Sequence, residues 1–262
     1  MATNAHASFV TPAVAAVSIT AWLTLWGWDN SSYANYAAHT GWLDGALVDH
    51  LCSTLRELPG GVLIVLHMLS WLLMLIAMML ATTLPLLHFF RCLTRDRSDR
   101  NQLITLLVAG YLCAWMLFGT VAHGADALLH RLADNAPWLA LHAWIPGATI
   151  LAIAGAYQLS SSKLRCLNRC RSPMLFISER WHGTREMWSS FTLGWSHGLF
   201  CIGCCWALML LMFAVGTTNI GWMLAIALVM GAEKNAYWGG RIRVPAAIGL
   251  LGWAAFICER NL

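Results

Sequence analysis

Charged residues are scarce in this 262-residue sequence. Only 11% of the residues are Asp, Glu, Lys or Arg, whereas 59% are hydrophobic, and the mean hydropathy is +0.62. A soluble domain carries roughly 25% charged residues, so this composition excludes a globule that faces water on all sides. Charge is absent altogether from residues 1–28, 58–90, 101–125, 135–162 and 187–232. Because a bilayer span needs about 20 apolar residues, the sequence predicts a polytopic protein embedded in a lipid bilayer.

Three further absences narrow the class of protein. The 16 Lys and Arg residues form no single basic stripe, which argues against a nucleic-acid partner. The sequence has no nucleotide-binding or ATPase motif, and most of its cysteines lie in apolar runs or in a basic loop, unlike a secreted disulfide framework. No Lys or Arg precedes the first apolar run, so residues 10–28 are predicted to be a retained helix rather than a cleaved signal.

The apolar runs predict an all-α transmembrane bundle that forms one integral membrane domain over residues 1–262. Gly, Pro and polar clusters divide the runs into seven helices, with six as the alternative because the last two are short. The predicted helices lie near 10–28, 62–90, 103–125, 137–158, 190–215, 219–233 and 244–258.

The distribution of basic residues predicts the orientation. Alternate loops at 91–102, 159–189 and 232–243 carry 4, 6 and 3 Lys or Arg, whereas the opposite side carries only Arg56, Arg131 and Arg260. By the positive-inside rule, the basic loops and the N-terminus are cytoplasmic and the C-terminus lies on the opposite side of the membrane.

The helix near 190–215 carries the most distinctive pattern of side chains. Positions four apart share one face of a helix, so His197, Cys201, Cys205 and Met209 form a stripe with Cys204 beside it. Thiols, thioethers and imidazole are the ligands that Cu(I) selects, and Zn²⁺ would accept the thiols and the imidazole. Ordinary packing explains any one of these residues better, but three cysteines in five positions beyond a histidine favour a metal site.

Methionines on the helix near 62–90 lie at a similar depth. Met78 and Met79 are about 11 residues from its cytoplasmic end, and Cys201 is about 11 residues from the cytoplasmic end of its own helix, which places both roughly 16 Å deep. This depth permits one shared site, although a methionine stripe alone more often reflects packing.

Other polar residues are weaker candidates. Cys166 and Cys170 lie four apart in the basic loop, where they are expected to face one ion or partner, with the neighbouring arginines favouring their thiolates. A metal or proton site near the outer helix ends is a further hypothesis for His67, His123, His142 and Asp126. Glu233 and Lys234 are expected to pair with each other or with the basic loop.

Taken together, these residues resemble the bacterial predicted metal-binding integral membrane proteins, a family defined as a domain of unknown function. The resemblance is carried by Tyr157, Gln158, Lys163, Cys166, Cys170, Arg171, Ser172, Pro173, Gly194, Gly198, Cys201, Gly203, Cys204, Cys205, Trp206, Met209, Phe213, Gly216, Asn219, Glu233 and Lys234, with weaker matches at Ala77, Met78, Met79, Ala81, Pro85, Tyr111, Trp115 and Phe118. It implies a multi-helix protein of the bacterial inner membrane, with metal affinity and no assigned reaction. In that membrane the predicted orientation makes the C-terminus periplasmic.

The sequence departs from that family pattern at three positions. Thr82 and Thr83 stand where the family usually has a second pair of methionines, and Thr218 stands where a methionine is common. Hydroxyls are poor Cu(I) ligands, so these changes weaken the methionine half of a copper site.

Three functions remain open at this point. The preferred one is the binding of a soft transition metal, for which copper is the preferred ion and zinc the alternative. The metal would be transported or delivered to a membrane metalloenzyme or metal chaperone. The second is a non-catalytic subunit or assembly factor of a larger membrane complex. The third is a membrane thiol-disulfide oxidoreductase that uses the Cys201 and Cys204 dithiol, although the sequence identifies no catalytic residue.

Overall fold

The computed structural model describes residues 10–31, 42–43, 60–136, 138, 142, 144–181, 185–216 and 219–261. Within these residues the protein is all-helical and has no strand. Arg56 and Thr218, on which the predicted orientation and the departures from the family pattern depend, lie outside the described residues, as do residues 1–9.

Helices occupy the predicted apolar runs, although the helix predicted at 103–125 continues to Asn135 and two further helices lie in the predicted loop at 159–189. They are α1 (Val10–Asp29), α2 (Gly60–Met79), a 3₁₀ turn (Leu80–Thr83), α3 (Leu84–Leu93), α4 (Arg100–Asn135), α5 (Trp144–Leu159), α6 (Ser161–Arg171), α7 (Pro173–Arg180), α8 (Glu186–Val215), α9 (Ile220–Asn235) and α10 (Gly239–Asn261).

Five segments of the described chain are long and apolar enough to cross a membrane, namely Val10–Asp29, Ile64–Leu93, Arg100–Ala133, Glu186–Val215 and Gly239–Asn261. The two other predicted spans correspond to α5 and α9, each of 16 residues. A 16-residue helix is about 24 Å long, which is less than the ~30 Å hydrocarbon core, so the count of seven spans stays a prediction.

The predicted span at 62–90 is interrupted in its middle. Pro85 has no backbone N–H to continue the helical ladder, and the chain passes through a 3₁₀ turn just before it. The hydroxyls of Thr82 and Thr83 donate to the carbonyls of Met79 and Leu80, each at 2.7 Å, so the carbonyls at the break keep partners.

The predicted basic loop at 159–189 contains two helices, α6 and α7. Ser160 caps α6 by accepting a hydrogen bond from the Lys163 backbone N–H at 3.1 Å, and Pro173 begins α7 at a position that needs no N–H partner. Leu167 of α6 is fully buried, so this basic helix packs into the bundle.

Helix α8 lies at the centre of the bundle and packs against α4, α5, α6 and α9. Glycines allow the closest approach, because a Cβ on Gly194 would lie 1.9 Å from the carbonyl oxygen of Leu107 and one on Gly198 would lie 2.7 Å from the Cβ of Ala114. Small residues four apart are typical of tightly packed membrane helices. This contact brings Tyr111 of α4 against the cysteine face of α8.

Candidate metal centre

The cysteine face of α8 points into the protein core. Cys201, Cys204 and Cys205 are each 1% exposed, and Met209 is fully buried. Cys201 is about 22 Å along the helix from Glu186 and about 21 Å from Val215, and therefore lies at the middle of α8. A thiol group at this depth needs partners from neighbouring helices.

Helix α6 supplies one of those partners. The sulfur of Cys204 is 3.2 Å from the sulfur of Cys205 and 3.9 Å from the sulfur of Cys170, and the Cys204 thiol donates to the Cys201 carbonyl at 3.1 Å. The sequence placed Cys170 in a separate cytoplasmic pair with Cys166. The structure instead brings Cys170 to the thiols of α8.

Lys234 of α9 inserts its ammonium among these sulfur atoms. Its Nζ atom is 2.9 Å from the sulfur of Cys201, 3.7 Å from the thioether of Met79 and 3.3 Å from the hydroxyl of Thr82. The hydroxyl of Tyr111 is 3.1 Å from the same Cys201 sulfur. Met79 and Cys201, for which the sequence predicts a similar depth, thus both contact the ammonium of Lys234.

We call Met79, Cys170, Cys201, Cys204 and Cys205 the sulfur cluster. Across the described ranges, no three His, Cys, Asp or Glu side chains converge with the geometry needed to hold one metal ion. The contacts explain this, because the Cys201 sulfur faces the Lys234 ammonium while Cys204 faces its own helix carbonyl. The sulfur atoms are close together but are not arranged around one point.

A polar cavity adjoins the sulfur cluster on the side of α6. Its volume is about 200 Å³, and it is lined by Thr82, Pro85, Leu86, Cys170, Arg171, His197, Lys234 and Asn235. His197 is 5% exposed, its ring lies against Tyr111 and Phe176, and its Nδ1 atom has no hydrogen-bond partner. The predicted His197 therefore lies beside the cavity together with Cys170.

The remaining predicted residues have different surroundings. Met78 and Met209 are buried in the same core as the cysteines. Cys166 lies against the backbone of α8, where a Cβ on Gly203 would be 2.6 Å from its sulfur. Burial raises the pKa of the Cys166 thiol, so the expectation that the neighbouring arginines favour its thiolate is wrong.

A buried ion pair lies next to the cluster. Lys163 of α6 donates to Glu233 of α9 at 2.7 Å, and both side chains are 1% exposed. Of the two pairings that the sequence left open for Glu233, the structure shows the one with the basic segment. The adjacent Lys234 is consequently available to the thiols.

The outer polar residues form a second group. The rings of His67 and His123 are 5.8 Å apart, and Asp126 accepts a hydrogen bond from the Trp42 indole at 3.0 Å and lies 3.4 Å from His130. His142 stacks on Trp138. A metal or proton site formed by His67, His123, His142 and Asp126 stays a prediction.

The fold and the cluster together define the class of this protein. It is an all-helical protein with several apolar helices that could span a membrane and a buried group of soft ligands at the centre of the bundle. Residues 68–257 match the family described as PpoB2, copper chaperone, and the chain belongs to this family. The matched range includes every residue of the sulfur cluster. No curated protein and no solved structure matches the chain.

Proposed function

We propose that this chain is an inner-membrane copper chaperone that binds Cu(I) as cargo at the sulfur cluster and delivers it to a membrane metalloenzyme. The observation that carries the proposal is the proximity of four cysteine sulfurs and one thioether, contributed by α2, α6 and α8, within one bundle. Membership in a copper chaperone family supports the choice of metal.

The chemistry of the donor set favours Cu(I) over harder ions. Thiolates and thioethers select Cu(I), whereas Mg²⁺, Ca²⁺ and Mn²⁺ prefer oxygen ligands. Glu233 is next to Lys234 in the sequence, but its carboxylate is paired with Lys163 and so is not among the sulfur atoms as an oxygen ligand. Zinc would accept the thiols, but the Met79 thioether beside Cys201 favours copper.

The cavity suggests the side from which copper enters. Arg171 and Asn235 line it, and both belong to segments that the positive-inside rule assigns to the cytoplasm. In this orientation copper arrives from the cytoplasmic side, brought by a thiol ligand or a metal chaperone, and reaches Cys170 before the deeper cysteines. Delivery then proceeds by exchange between neighbouring sulfur ligands.

The test is a comparison of two triple variants. Replacing Cys201, Cys204 and Cys205 with Ser removes three ligands, so we expect copper content to fall from about one Cu(I) per chain to near zero. The matched control replaces Cys92, Cys113 and Cys258, which lie outside the cluster, with Ser and keeps the copper. Copper is measured by mass spectrometry on detergent-purified protein reconstituted with Cu(I) under reducing, anaerobic conditions.

Each other outcome points to a different function. Equal copper content in the two triple variants would remove α8 as the ligand source. Thiols of the wild-type protein that react only after a reductant would favour the oxidoreductase hypothesis instead. If the wild-type protein binds no copper, all of its thiols react without a reductant and an enzyme copurifies in stoichiometric amount, the subunit hypothesis would be favoured.

A further inference from the structure

Lys234 is an unusual residue to find among metal ligands. The chain has only two lysines, Lys163 and Lys234, among its 16 basic residues, and both are buried beside the cluster. Lys163 has a carboxylate partner in Glu233. Among the described residues no carboxylate lies within ion-pair distance of Lys234, and its nearest partner is the sulfur of Cys201.

The ammonium occupies the position that a bound cation needs. A buried positive charge must have partners, and those of Lys234 are a thiol, a thioether and a hydroxyl from α8, α2 and the 3₁₀ turn. Cu(I) would require the same Cys201 and Met79 sulfurs. The ammonium contacts both sulfurs and so fills the space between them that Cu(I) would occupy, and two cations at that short separation also repel each other at low dielectric.

The polar cavity offers the ammonium another place. Lys234 itself lines the cavity, whose volume of about 200 Å³ exceeds the ~30 Å³ that one water molecule occupies. In its wall, Asn235 offers a side-chain oxygen acceptor beyond Thr82, which already contacts the ammonium at 3.3 Å. A lysine has a flexible four-carbon stem, so its head group can turn into the cavity without a change in the helix.

We propose that Lys234 is a tethered cation that holds the copper position in the metal-free protein and is displaced into the polar cavity when Cu(I) binds. This inference rests on the proposed copper function. Cys201 binds Cu(I) as a thiolate, and its thiol proton passes to the thiolate of the donor that gives up the copper, so the exchange of copper between the two thiols balances in charge. Return of the ammonium to Cys201 then assists release of copper to the recipient.

The two lysines make the displacement directly measurable in the wild-type protein. Purified protein with and without Cu(I) is treated with a water-soluble acetylating ester, hydroxylamine removes acyl groups from thiols, and the two lysine peptides are quantified by mass spectrometry. We expect the acetylation rate of Lys234 to rise about tenfold or more with Cu(I), because a hydrogen bond of a charged group is released. Lys163 is the internal control, and its rate stays unchanged.

The outcomes separate this inference from the copper function. Copper content is measured on the same samples, and absence of copper bound through the cysteines would overturn both proposals. Bound copper with an unchanged or lower Lys234 rate would overturn the displacement alone. An equal rise at both lysines would indicate a general opening of the bundle and would also overturn it.

A variant gives a second readout. Lys234→Leu removes the returning cation without adding a copper ligand, so transfer of Cu(I) to a soluble chelator is expected to slow by about tenfold. Lys234→Arg keeps the charge and is expected to stay closer to the wild-type transfer rate. Transfer from Lys234→Leu at the wild-type rate or faster would contradict the role in release.

Discussion

The bundle contains two polar groups of different character, the inner sulfur cluster and an outer group formed by Trp42, His67, His123, Asp126 and His130. In the outer group, imidazoles and a carboxylate lie among aromatic rings, and Asp126 accepts a hydrogen bond from the Trp42 indole. In the inner group, the Cys201 sulfur faces the Lys234 ammonium beside a polar cavity, and His197 Nδ1 in the cavity wall has no hydrogen-bond partner.

The difference teaches which group is suited to bind a ligand. Polar groups that are satisfied within the fold hold helices together, whereas unsatisfied ones next to a cavity indicate a site for something else. Three predictions test this contrast between the outer and inner groups, beginning with the largest expected effect.

The two buried carboxylates should differ most. Glu233→Gln leaves the Lys163 ammonium buried without a counter-charge, and we expect it to lower the free energy of unfolding by about 3–5 kcal/mol. Asp126→Asn retains an oxygen that can accept from Trp42 and should cost about 1 kcal/mol. Both values are measured by denaturant titration in detergent.

The double variant Lys163→Met with Glu233→Leu is the control for this first prediction. Apolar side chains replace the whole ion pair, so most of the lost stability should return. An equal loss for Glu233→Gln and Asp126→Asn would show that the inner pair has no special dependence on its charge.

The second prediction concerns the threonines that replace family methionines. Thr82 contacts Lys234, so Thr82→Met places a thioether next to the Cys201 sulfur and should raise the Cu(I) affinity severalfold. Thr83 is buried and donates to the Leu80 carbonyl, so Thr83→Met should bring no gain. Competition with a chromophoric Cu(I) chelator measures both affinities. A gain in affinity for Thr83→Met alone would show that copper does not bind at the sulfur cluster.

The smallest effect is expected in the outer group. Replacing His67 and His123 together with Ala removes two imidazoles, but these rings lie away from the sulfur cluster among Trp71 and Phe213. We therefore expect the Cu(I) affinity to stay within about twofold of wild type, well below the roughly tenfold loss that removal of a supporting residue near a metal produces. The same chelator competition applies, and a tenfold loss would extend the copper site to the outer side.

Much of the fold was predictable because its signal is local. Long runs without charge mark the helices, and Cys201, Cys204 and Cys205 share a face by helical spacing alone. The 3₁₀ break before Pro85 was missed, although a proline inside an apolar run signals such a break. Helices α6 and α7 were missed because their basic composition conceals a buried face, although Ser160 and Pro173 are ordinary helix-start signals.

The arrangement of the site was less predictable because it depends on packing between helices. Nothing in the spacing of Cys170 indicates that α6 docks on α8 so that its sulfur reaches Cys204. The role of Lys234 likewise depends on Glu233 turning to Lys163. The rarity of lysine beside frequent arginine was the available signal, since a compact ammonium on a flexible stem suits a buried site that must release its occupant.

The buried ion pair also sets an order of events during synthesis of the protein. Lys163 and Glu233 are separated by 70 residues, so the ribosome completes α6 well before its partner on α9 exists. An unpaired charge is costly within a bilayer. The positive charge of Lys163 therefore lacks its counter-charge until α9 has been made, and we expect Cys170 to reach Cys204 only after that point. In a newborn chain the sulfur cluster is thus complete only after nearly all of the helices have been synthesised.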